Sequence, residues 1–338
     1  MPFLCLGGGM KRREFIALVG GLITWPPAAY AQPARMRRVG VLAPFDNNDL
    51  EGQRLLGAFK QRLVSLGWTE GRNVLIDYRF AGGSAENIRN VARELVAATP
   101  DVIFAGSNVS IAPLQQATTT IPIVFVQASD PVGSGFVASL AHPGGNITGF
   151  QGYEPAIGGK WLEILREIAP KVRRAAVILN PNVTANVAFL HAAEKAAASL
   201  GLTVTAAGVR DAADIERILT AFAQEPNGGV IVTPSPLTNT ADKRDLIISL
   251  AAQLHLPAIY PYRLSAGSGG LISYSYDAAA QWQGSASYVD RILKGEKPAD
   301  LPVQAPTKYD LVINLKTAKE LGLTVPLHLQ QIADEIVE

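Results

Sequence analysis

The sequence contains one cysteine, Cys5, and four histidines that stand far apart from one another. A lone thiol excludes an intramolecular disulfide, and isolated histidines argue against a zinc site of the H-x-x-x-H or H-E-x-x-H kind. Neither a G-x-S-x-G nucleophile turn nor a G-x-x-x-x-G-K-[ST] phosphate loop occurs. We therefore expect no metal, no cofactor and no catalytic residues, so that the protein is not an enzyme.

The sequence also lacks an excess of charge of either sign. The 338 residues include 30 basic and 29 acidic ones, for a formal net charge of +1, and the basic residues are scattered. Because proteins that bind nucleic acid present an excess of Lys and Arg to the phosphates, we expect no nucleic-acid partner. A hydrophobic content of 48% and a charged content of 17% are typical of a soluble protein with enough apolar residues for two cores.

Long hydrophobic runs are scarce, and the run "FIALVGGLITW" (15–25) is too short to span a bilayer. Three basic residues precede it at 11–13, and the small-residue motif Ala29-Tyr30-Ala31 follows it, which predicts an export signal over residues 1–31 with cleavage near Ala31. The protein is then periplasmic and begins at Gln32. The pair Arg12-Arg13 resembles a twin-arginine signal, the Sec route stays open, and either Met1 or Met10 can be the start.

The chain repeats its own pattern at an offset of about 130 residues. The strand and loop "RVGVLAPFDN" (38–47) resembles "RAAVILNPNV" (174–183), and "DVIFAGSN" (101–108) resembles "GGVIVTPSP" (228–236). Segments with helical periodicity separate the predicted strands, at 50–66, 84–98, 109–119, 157–169, 183–200, 211–224, 238–254 and 279–293. This alternation predicts an α/β fold of two similar doubly wound parallel-sheet lobes.

The second half contains a strand, "GGLISYSYD" (269–277), for which the first half shows no counterpart. We expect the chain to cross between lobes near 150, 263 and 300. The first lobe then comprises residues 32–150 and about 264–298, and the second comprises 151–263 and about 299–338. A hinge of several strands joins them, and the cleft between hinged lobes is a usual place for a small ligand.

Ligands of doubly wound sheets bind outside the carboxyl ends of the strands, near helix N-termini. The loops selected by this rule are rich in small hydroxyl and amide residues, which either cap a helix or contact a ligand. The loops are 44–48, 82–84, 106–110, 129–132, 180–184, 233–238 and 260–263. The turn at 106–108 starts a helix and is therefore suited to a carboxylate.

The stretch "VFVQASDPVGSG" (124–135) places Ser129 and Asp130 at the end of a strand. Pro131 favours an extended Asp130, whose carboxylate then receives an ammonium or hydroxyl group of a ligand. Alternatively, Asp130 only makes a turn before Val132, as Asp-Pro pairs commonly do. Tyrosines concentrate later, at 260, 262, 274 and 276, where their rings suit a flat ligand or a core.

Several stretches together resemble the tryptophan/tyrosine-type ABC transporter substrate-binding family, whose members are exported solute receptors with the type I periplasmic binding protein fold. The resemblance rests on "LGWTEGRNVLIDYRFAGG", "IPIVFVQASDPVGSGFVASLAHPGGNITGF", "LPAIYPYRLSAGSGGLISY", "YVDRILKGEKPADLPVQAPTKYDLVINLKTAKELGLTVP" and the signal "RREFIALVGG". It covers almost the whole chain. It implies a monomeric receptor that closes on an amino-acid-like or aromatic carboxylate ligand and presents it to the membrane permease of an ABC importer.

The resemblance also implies which residues contact the ligand. They come from loops of both lobes and from the first crossover. The implied contacts are Phe45, Asp46, Asn47, Gly106, Ser107, Asn108, Ser129, Asp130, Gln151, Tyr153, Asn180, Asn182, Thr233, Ser235 and Tyr260.

Other functions stay open from the sequence. A receptor of the same architecture can pass its liganded form to a membrane signalling protein instead of a permease. An α/β enzyme is a weaker alternative: residues 133–138 match G-x-G-x-x-A, but six residues separate them from the strand, unlike a dinucleotide-binding turn. A transcriptional regulator would need a DNA-binding helix pair before the first strand, where only residues 32–37 follow the predicted cleavage site.

Overall fold

The computed structural model describes residues 35–82 and 84–338, apart from the side chain of Pro236. Within this part of the chain, strands and helices alternate over most of the length, as the sequence predicts. The strands are β1 (Arg37–Ala43), β2 (Val74–Phe80), β3 (Val102–Gly106), β4 (Ile123–Ala128), β5 (Ile147–Gln151), β6 (Arg174–Leu179), β7 (Thr203–Gly208), β8 (Gly228–Val232), β9 (Ala258–Tyr260), β10 (Ile272–Ser275), β11 (Asp310–Asn314) and β12 (Glu335–Val337). The helices are α1 (Leu50–Ser65), α2 (Ala85–Ala97), α3 (Ser107–Ala117), α4 (Ile157–Ile168), α5 (Thr184–Leu200), α6 (Ala212–Phe222), α7 (Pro236–Asn239), α8 (Ala241–Gln253), α9 (Arg263–Gly267), α10 (Ala278–Leu293), α11 (Leu315–Glu320) and α12 (Leu327–Ile332).

The strands form two sheets, one in each lobe. The first has the order β2-β1-β3-β4-β5, and the second has the order β7-β6-β8-β9-β10-β11-β12. The first five strands of each sheet therefore follow the same order in the chain, which is the structural form of the duplication seen in the sequence. These strands pair in parallel in both sheets. The predicted α/β fold with two doubly wound lobes is confirmed.

The second crossing of the chain, expected near residue 263, follows β10 instead. β10 pairs in parallel with β9 and takes the place in the second sheet that β5 takes in the first, so it has a counterpart and does not belong to the first lobe. Three of the four residues of β10 are buried in this position. Of the segment 264–298, α10 packs against α1 of the first lobe. The second sheet is also not wholly parallel, since β11 runs antiparallel to β10.

Helix α1 shows how the sequence builds the first lobe. The Asp49 side chain accepts a hydrogen bond from the Gly52 backbone N–H at 2.6 Å, which satisfies one of the free donors at the start of the helix. Apolar residues at helical spacing, Leu55 and Phe59 among them, are buried against the sheet and α10. The Phe59 ring stacks on Phe104 of β3 with centroids 4.3 Å apart. Each such buried side chain contributes about 1.5–3 kcal/mol to folding.

Aromatic side chains pack together where the chain crosses between the lobes. Tyr153 lies in the first crossover, Tyr276 follows β10 in the second, and Tyr309 precedes β11 in the third. The Tyr153 ring lies 4.7 Å from that of Tyr276 and 5.9 Å from that of Tyr309. Tyr274 stacks on Tyr309 at 5.4 Å. All three crossovers therefore share one aromatic cluster, which we call the hinge cluster (Tyr153, Tyr274, Tyr276, Tyr309).

The predicted export signal, residues 1–31, lies outside the described residues. Among the helices that the structure describes, none combines the length and the apolar character needed to cross a membrane.

Candidate functional site

A cavity of about 640 Å³ lies between the lobes, and residues from both sheets line it. Its wall includes residues that follow β1, β3 and β4 in the first lobe and β8, β9 and β10 in the second. These are carboxyl ends of parallel strands, where doubly wound sheets place their ligands. The volume falls within the range of about 300–1,000 Å³ that encloses small organic ligands.

One side of the cavity is aromatic. Phe45 follows β1, and its ring lies 6.1 Å from the indole of Trp282 on α10. A Cβ on Gly52 would lie 2.4 Å from the Phe45 ring, so only a glycine on α1 leaves room for that ring. Trp282 is buried and makes an edge contact with Phe104 at 5.0 Å. Rings held in this way offer a rigid apolar surface to a flat ligand.

The turn between β3 and α3 forms the next part of the wall. Ser107 has a φ of 63°, a left-handed conformation that non-glycine residues rarely adopt. The Asn108 side chain accepts a hydrogen bond from the Ser129 backbone N–H at 2.8 Å and donates to the Ser129 carbonyl at 2.7 Å. This amide joins the loops after β3 and β4. The first N–H groups of α3 have no carbonyl within the helix to bind, so the turn can accept an anion.

In the second lobe, a different asparagine joins two loops in the same way. Asn186 on α5 is fully buried and lines the cavity. Its side chain accepts a hydrogen bond from the Asn180 backbone N–H at 3.0 Å and donates to the Pro234 carbonyl at 3.1 Å. The loops after β6 and β8 are thereby held together, and Ser235 joins the cavity wall beside them.

Buried polar atoms without a protein partner occur in the cavity wall. Within residues 35–82 and 84–338, the Oγ atoms of Ser107 and Ser275 and the indole Nε1 of Trp282 have no hydrogen-bond partner. Buried polar groups are normally paired, and leaving one unpaired costs about 1–3 kcal/mol. Rotation about χ1 turns a serine hydroxyl towards a neighbouring ligand. The wall thus has hydrogen-bonding capacity beyond what the described protein groups use.

Two pairs of oppositely charged side chains lie in the cavity wall. Arg54 forms two hydrogen bonds of 2.7 Å with Glu51, and this contact raises the pKa of the guanidinium. Arg263 pairs with Glu335 of β12. No group of three or more His, Cys, Asp or Glu side chains is arranged to hold a metal ion in the described part of the chain.

The structure brings part of the predicted contact set to the cavity wall: Phe45, Ser107, Asn108, Ser129 and Ser235. The other predicted residues are not part of the wall as the described residues form it: Asp46, Asn47, Gly106, Asp130, Gln151, Tyr153, Asn180, Asn182, Thr233 and Tyr260. Several of these use their polar groups within the protein.

Local turns use the side chains of two polar members of that second group, Asp130 and Asn180. The Asp130 carboxylate accepts the Gly133 N–H at 3.0 Å, which is the turn-making role that the sequence left open. The Asn180 side chain accepts the Asn182 N–H at 3.0 Å, and Asp46 lies exposed in the loop before α1.

Burial accounts for most of the others. The Thr233 hydroxyl donates to the Ile178 carbonyl at 2.8 Å, and Tyr260 lies in the core of the second lobe. Tyr153 is fully buried in the hinge cluster and donates its hydroxyl to the Pro261 carbonyl. Gln151 is also buried, next to this crossover. Strand-end position alone does not tell such residues from those that face the cleft.

The sequence interpretation missed several residues of the wall. Trp282 and Asn186 lie on helices, inside segments where only the three-dimensional packing shows which face meets the cleft. Gln127, Tyr262 and Tyr276 lie at strand ends. The two tyrosines belong to the group at positions 260, 262, 274 and 276, and this concentration of tyrosines is the sequence feature that could have indicated them.

Comparisons with known proteins place this site in a family. The model of the family described as ABC transporter substrate binding protein matches residues 38–337. A solved structure of a conserved domain protein from Vibrio cholerae is 28% identical, with a TM-score of 0.81 over 89% of this chain and 100% of the other. A domain from Streptococcus pneumoniae in complex with L-Trp is 24% identical, with a TM-score of 0.81 over 89% of this chain and 99% of the other. A curated tyrosine-binding protein of Clostridioides difficile is 24% identical over 271 residues, which are 78% of this chain and 75% of that protein.

The family match spans nearly the whole described chain, including both sheets and the loops that form the cavity. The cavity between two similar lobes is the kind of site that a solute-binding protein requires. The chain belongs to the ABC transporter substrate binding protein family.

Proposed function

We propose that the protein is the exported solute receptor of an ABC importer and that it binds an aromatic amino acid, or a related aromatic carboxylate, in the cavity between its lobes. It acts as a monomer in the periplasm and delivers the ligand to a membrane permease. The observation that carries the proposal is the cavity of about 640 Å³ with Phe45 and Trp282 in its wall. The L-Trp complex and the tyrosine-binding protein among its relatives support the ligand class.

The chemistry of the wall suits both parts of such a ligand. An aromatic ring gains by contact with Phe45 and Trp282, because buried aromatic pairs add about 0.5–1.5 kcal/mol to the area that they bury. A carboxylate is favoured at the start of α3, where the helix dipole and the free N–H groups of the turn at Ser107 and Asn108 act together. The acidic side chains of Asp277 and Asp310 also line the cavity. Asp277 accepts the Ala280 N–H and Asp310 pairs with Lys308, and the remaining lone pairs of each carboxylate can accept an ammonium group.

Binding to both lobes explains why a receptor of this kind responds to its ligand. A ligand shifts a conformational equilibrium only by its difference in affinity for the two states. A solute that touches Ser107 on the first lobe and Ser235 on the second gains the second contact only when the lobes are close. The closed form is then the one that a permease distinguishes.

Calorimetric titration of the purified protein with L-tryptophan and L-tyrosine tests the proposal, with L-leucine and galactose as comparison ligands. We expect one binding site per chain for the aromatic amino acids. At one hundred times the dissociation constant, either should stabilise the protein by about 2.7 kcal/mol. Binding of galactose without binding of either aromatic amino acid would refute the proposed ligand class.

A further inference from the structure

Three uncharged polar side chains from three separate segments meet in the cavity wall. Gln127 lies in β4 of the first lobe, Tyr262 follows β9 of the second lobe, and Tyr276 follows β10 in the second crossover. We call them the amide–hydroxyl subsite. Tyr276 is buried, and the other two are half-buried. They differ from the exposed ion pairs of the cavity both in charge and in accessibility.

The backbone at Gln127 is unusual. Its φ is 58°, and the pairing of β4 with β5 shifts register between Val126 and Ala128, so Gln127 is the extra residue of a bulge. A bulge redirects the side chain of its extra residue, and bulges are common next to binding sites. A non-glycine residue in the left-handed region is strained and persists where the surrounding structure enforces it. A glycine would fit this backbone better, yet a long amide side chain occupies it.

The two tyrosines are positioned by the protein itself. A Cβ on Gly152 would lie 2.9 Å from the Tyr276 hydroxyl oxygen, so that hydroxyl rests directly on the backbone beside β5. The Tyr276 ring packs on Tyr153 at 4.7 Å. Tyr153 in turn donates its hydroxyl to the carbonyl of Pro261, the residue before Tyr262. The subsite is therefore rigid before a ligand arrives, which favours selective binding.

The subsite is also electrically neutral. Burial raises the pKa of the Tyr276 and Tyr262 hydroxyls, so both stay protonated at neutral pH. The Gln127 amide carries no charge at any pH, so none of the three side chains is ionised at neutral pH. The three side chains themselves offer no charge with which to pair a carboxylate or an ammonium group, whereas the start of α3 and acidic side chains of the wall such as Asp277 do.

From this geometry we infer that Gln127, Tyr262 and Tyr276 bind an uncharged hydrogen-bonding group on the ring of the ligand, such as a phenolic hydroxyl or an indole N–H. The inference rests on the proposed function and narrows its ligand class. Rings that carry such a group are selected, and a plain phenyl ring is rejected. When phenylalanine binds, the amide and hydroxyl groups of the subsite lose their contact with water and gain none in return.

Calorimetric titration with L-tyrosine, L-tryptophan and L-phenylalanine tests this inference on the parent protein and two variants. Tyr262→Phe removes one hydroxyl of the subsite and keeps its ring. Tyr274→Phe is the matched control, because Tyr274 belongs to the hinge cluster but is not part of the described cavity wall. We expect the parent to bind tyrosine at least tenfold more tightly than phenylalanine.

The variants show whether the subsite recognises the ring of the ligand or its amino-acid backbone. Tyr262→Phe should weaken tyrosine binding about tenfold and leave phenylalanine binding unchanged, while Tyr274→Phe should leave both unchanged. Equal affinities of the parent for tyrosine and phenylalanine would overturn the inference and leave the proposed function standing. If Tyr262→Phe weakened the binding of tyrosine and of phenylalanine equally, the inference would also be overturned, since the subsite would then bind the amino-acid backbone of the ligand. Failure of all three amino acids to bind would overturn the proposed function together with the inference.

Discussion

At the scale of the residue, Gln127 combines a strained backbone with a place in the cavity wall. A residue other than glycine at a φ of 58° costs about 1–3 kcal/mol relative to a relaxed conformation. We expect Gln127→Gly to raise the free energy of unfolding by about 0.5–1 kcal/mol, because relief of strain exceeds the added chain entropy of glycine. The same change should weaken binding of tyrosine, because the amide is lost. Urea denaturation and calorimetric titration measure the two effects.

Gln127→Ala provides the control for that experiment. Alanine removes the amide but keeps a Cβ in the left-handed conformation, so binding should fall as it does for glycine while stability stays at or below that of the parent. A gain in stability for both variants, or for neither, would show that backbone strain is not the source of the effect.

The residues of the "QASD" segment show how far a sequence can locate a site. Ser129 and Asp130 both follow β4, and from the sequence both are expected to contact a ligand. The structure turns Ser129 to the cavity wall, while the Asp130 backbone has a φ of 44° and its carboxylate binds the Gly133 N–H. Strand ends follow from hydrophobic patterns, but side-chain direction at a strand end depends on backbone twists that neighbouring segments impose.

At the scale of the element, two helix glycines differ in what surrounds them. A Cβ on Gly158, at the start of α4, would lie 2.1 Å from the carbonyl oxygen of Phe189 on α5, whereas a Cβ on Gly57 of α1 would meet nothing within 4 Å. The α4–α5 contact therefore depends on a missing side chain. We expect Gly158→Ala to lower the free energy of unfolding by about 1–3 kcal/mol, because the two helices must move apart.

Gly57→Ala is the matched control on an open helix surface. It should raise the free energy of unfolding by up to about 1 kcal/mol, since alanine is the better helix former. Urea denaturation of both variants and the parent compares them directly. If Gly158→Ala were as stable as Gly57→Ala, the close approach of α4 and α5 would not be a constraint on the fold.

The elements themselves were largely predictable, and each exception has its own physical cause. Helix α1 at Leu50–Ser65 and strand β1 at Arg37–Ala43 match the expected segments closely, because each has a clear hydrophobic period and a polar boundary. β10 was expected as a strand, but its sheet was not, because an apolar segment between two lobes can pair with either. The short helix α9 at Arg263–Gly267 was also missed, since one turn is too short to show a helical period.

At the scale of the whole molecule, the hinge limits how the lobes can move. Three crossovers connect the sheets, and the hinge cluster joins all three through ring contacts between Tyr153, Tyr276 and Tyr309. Tyr276 belongs both to this cluster and to the cavity wall. A ligand that contacts Tyr276 would therefore contact the hinge cluster directly, and the ring contacts among the three crossovers constrain how the lobes can move relative to one another.

A cavity with walls on both lobes allows a ligand to favour the closed state, and small-angle X-ray scattering can detect such a closure. A compact chain of about 300 residues has a radius of gyration of roughly 19 Å, and opening of the cleft increases this value. We expect saturating L-tryptophan to lower the radius of gyration of the parent protein, because the ligand adds contacts to Ser235 and Tyr262 only when the lobes are close. Tyr262→Ala removes a ring from the second lobe, so we expect this variant to close less completely than the parent at saturating ligand. The control variant Tyr274→Phe should close as completely as the parent. An unchanged radius at ligand concentrations that calorimetry shows to be saturating would mean that the ligand binds without moving the lobes, and the contacts across the cleft would then not contribute to closure.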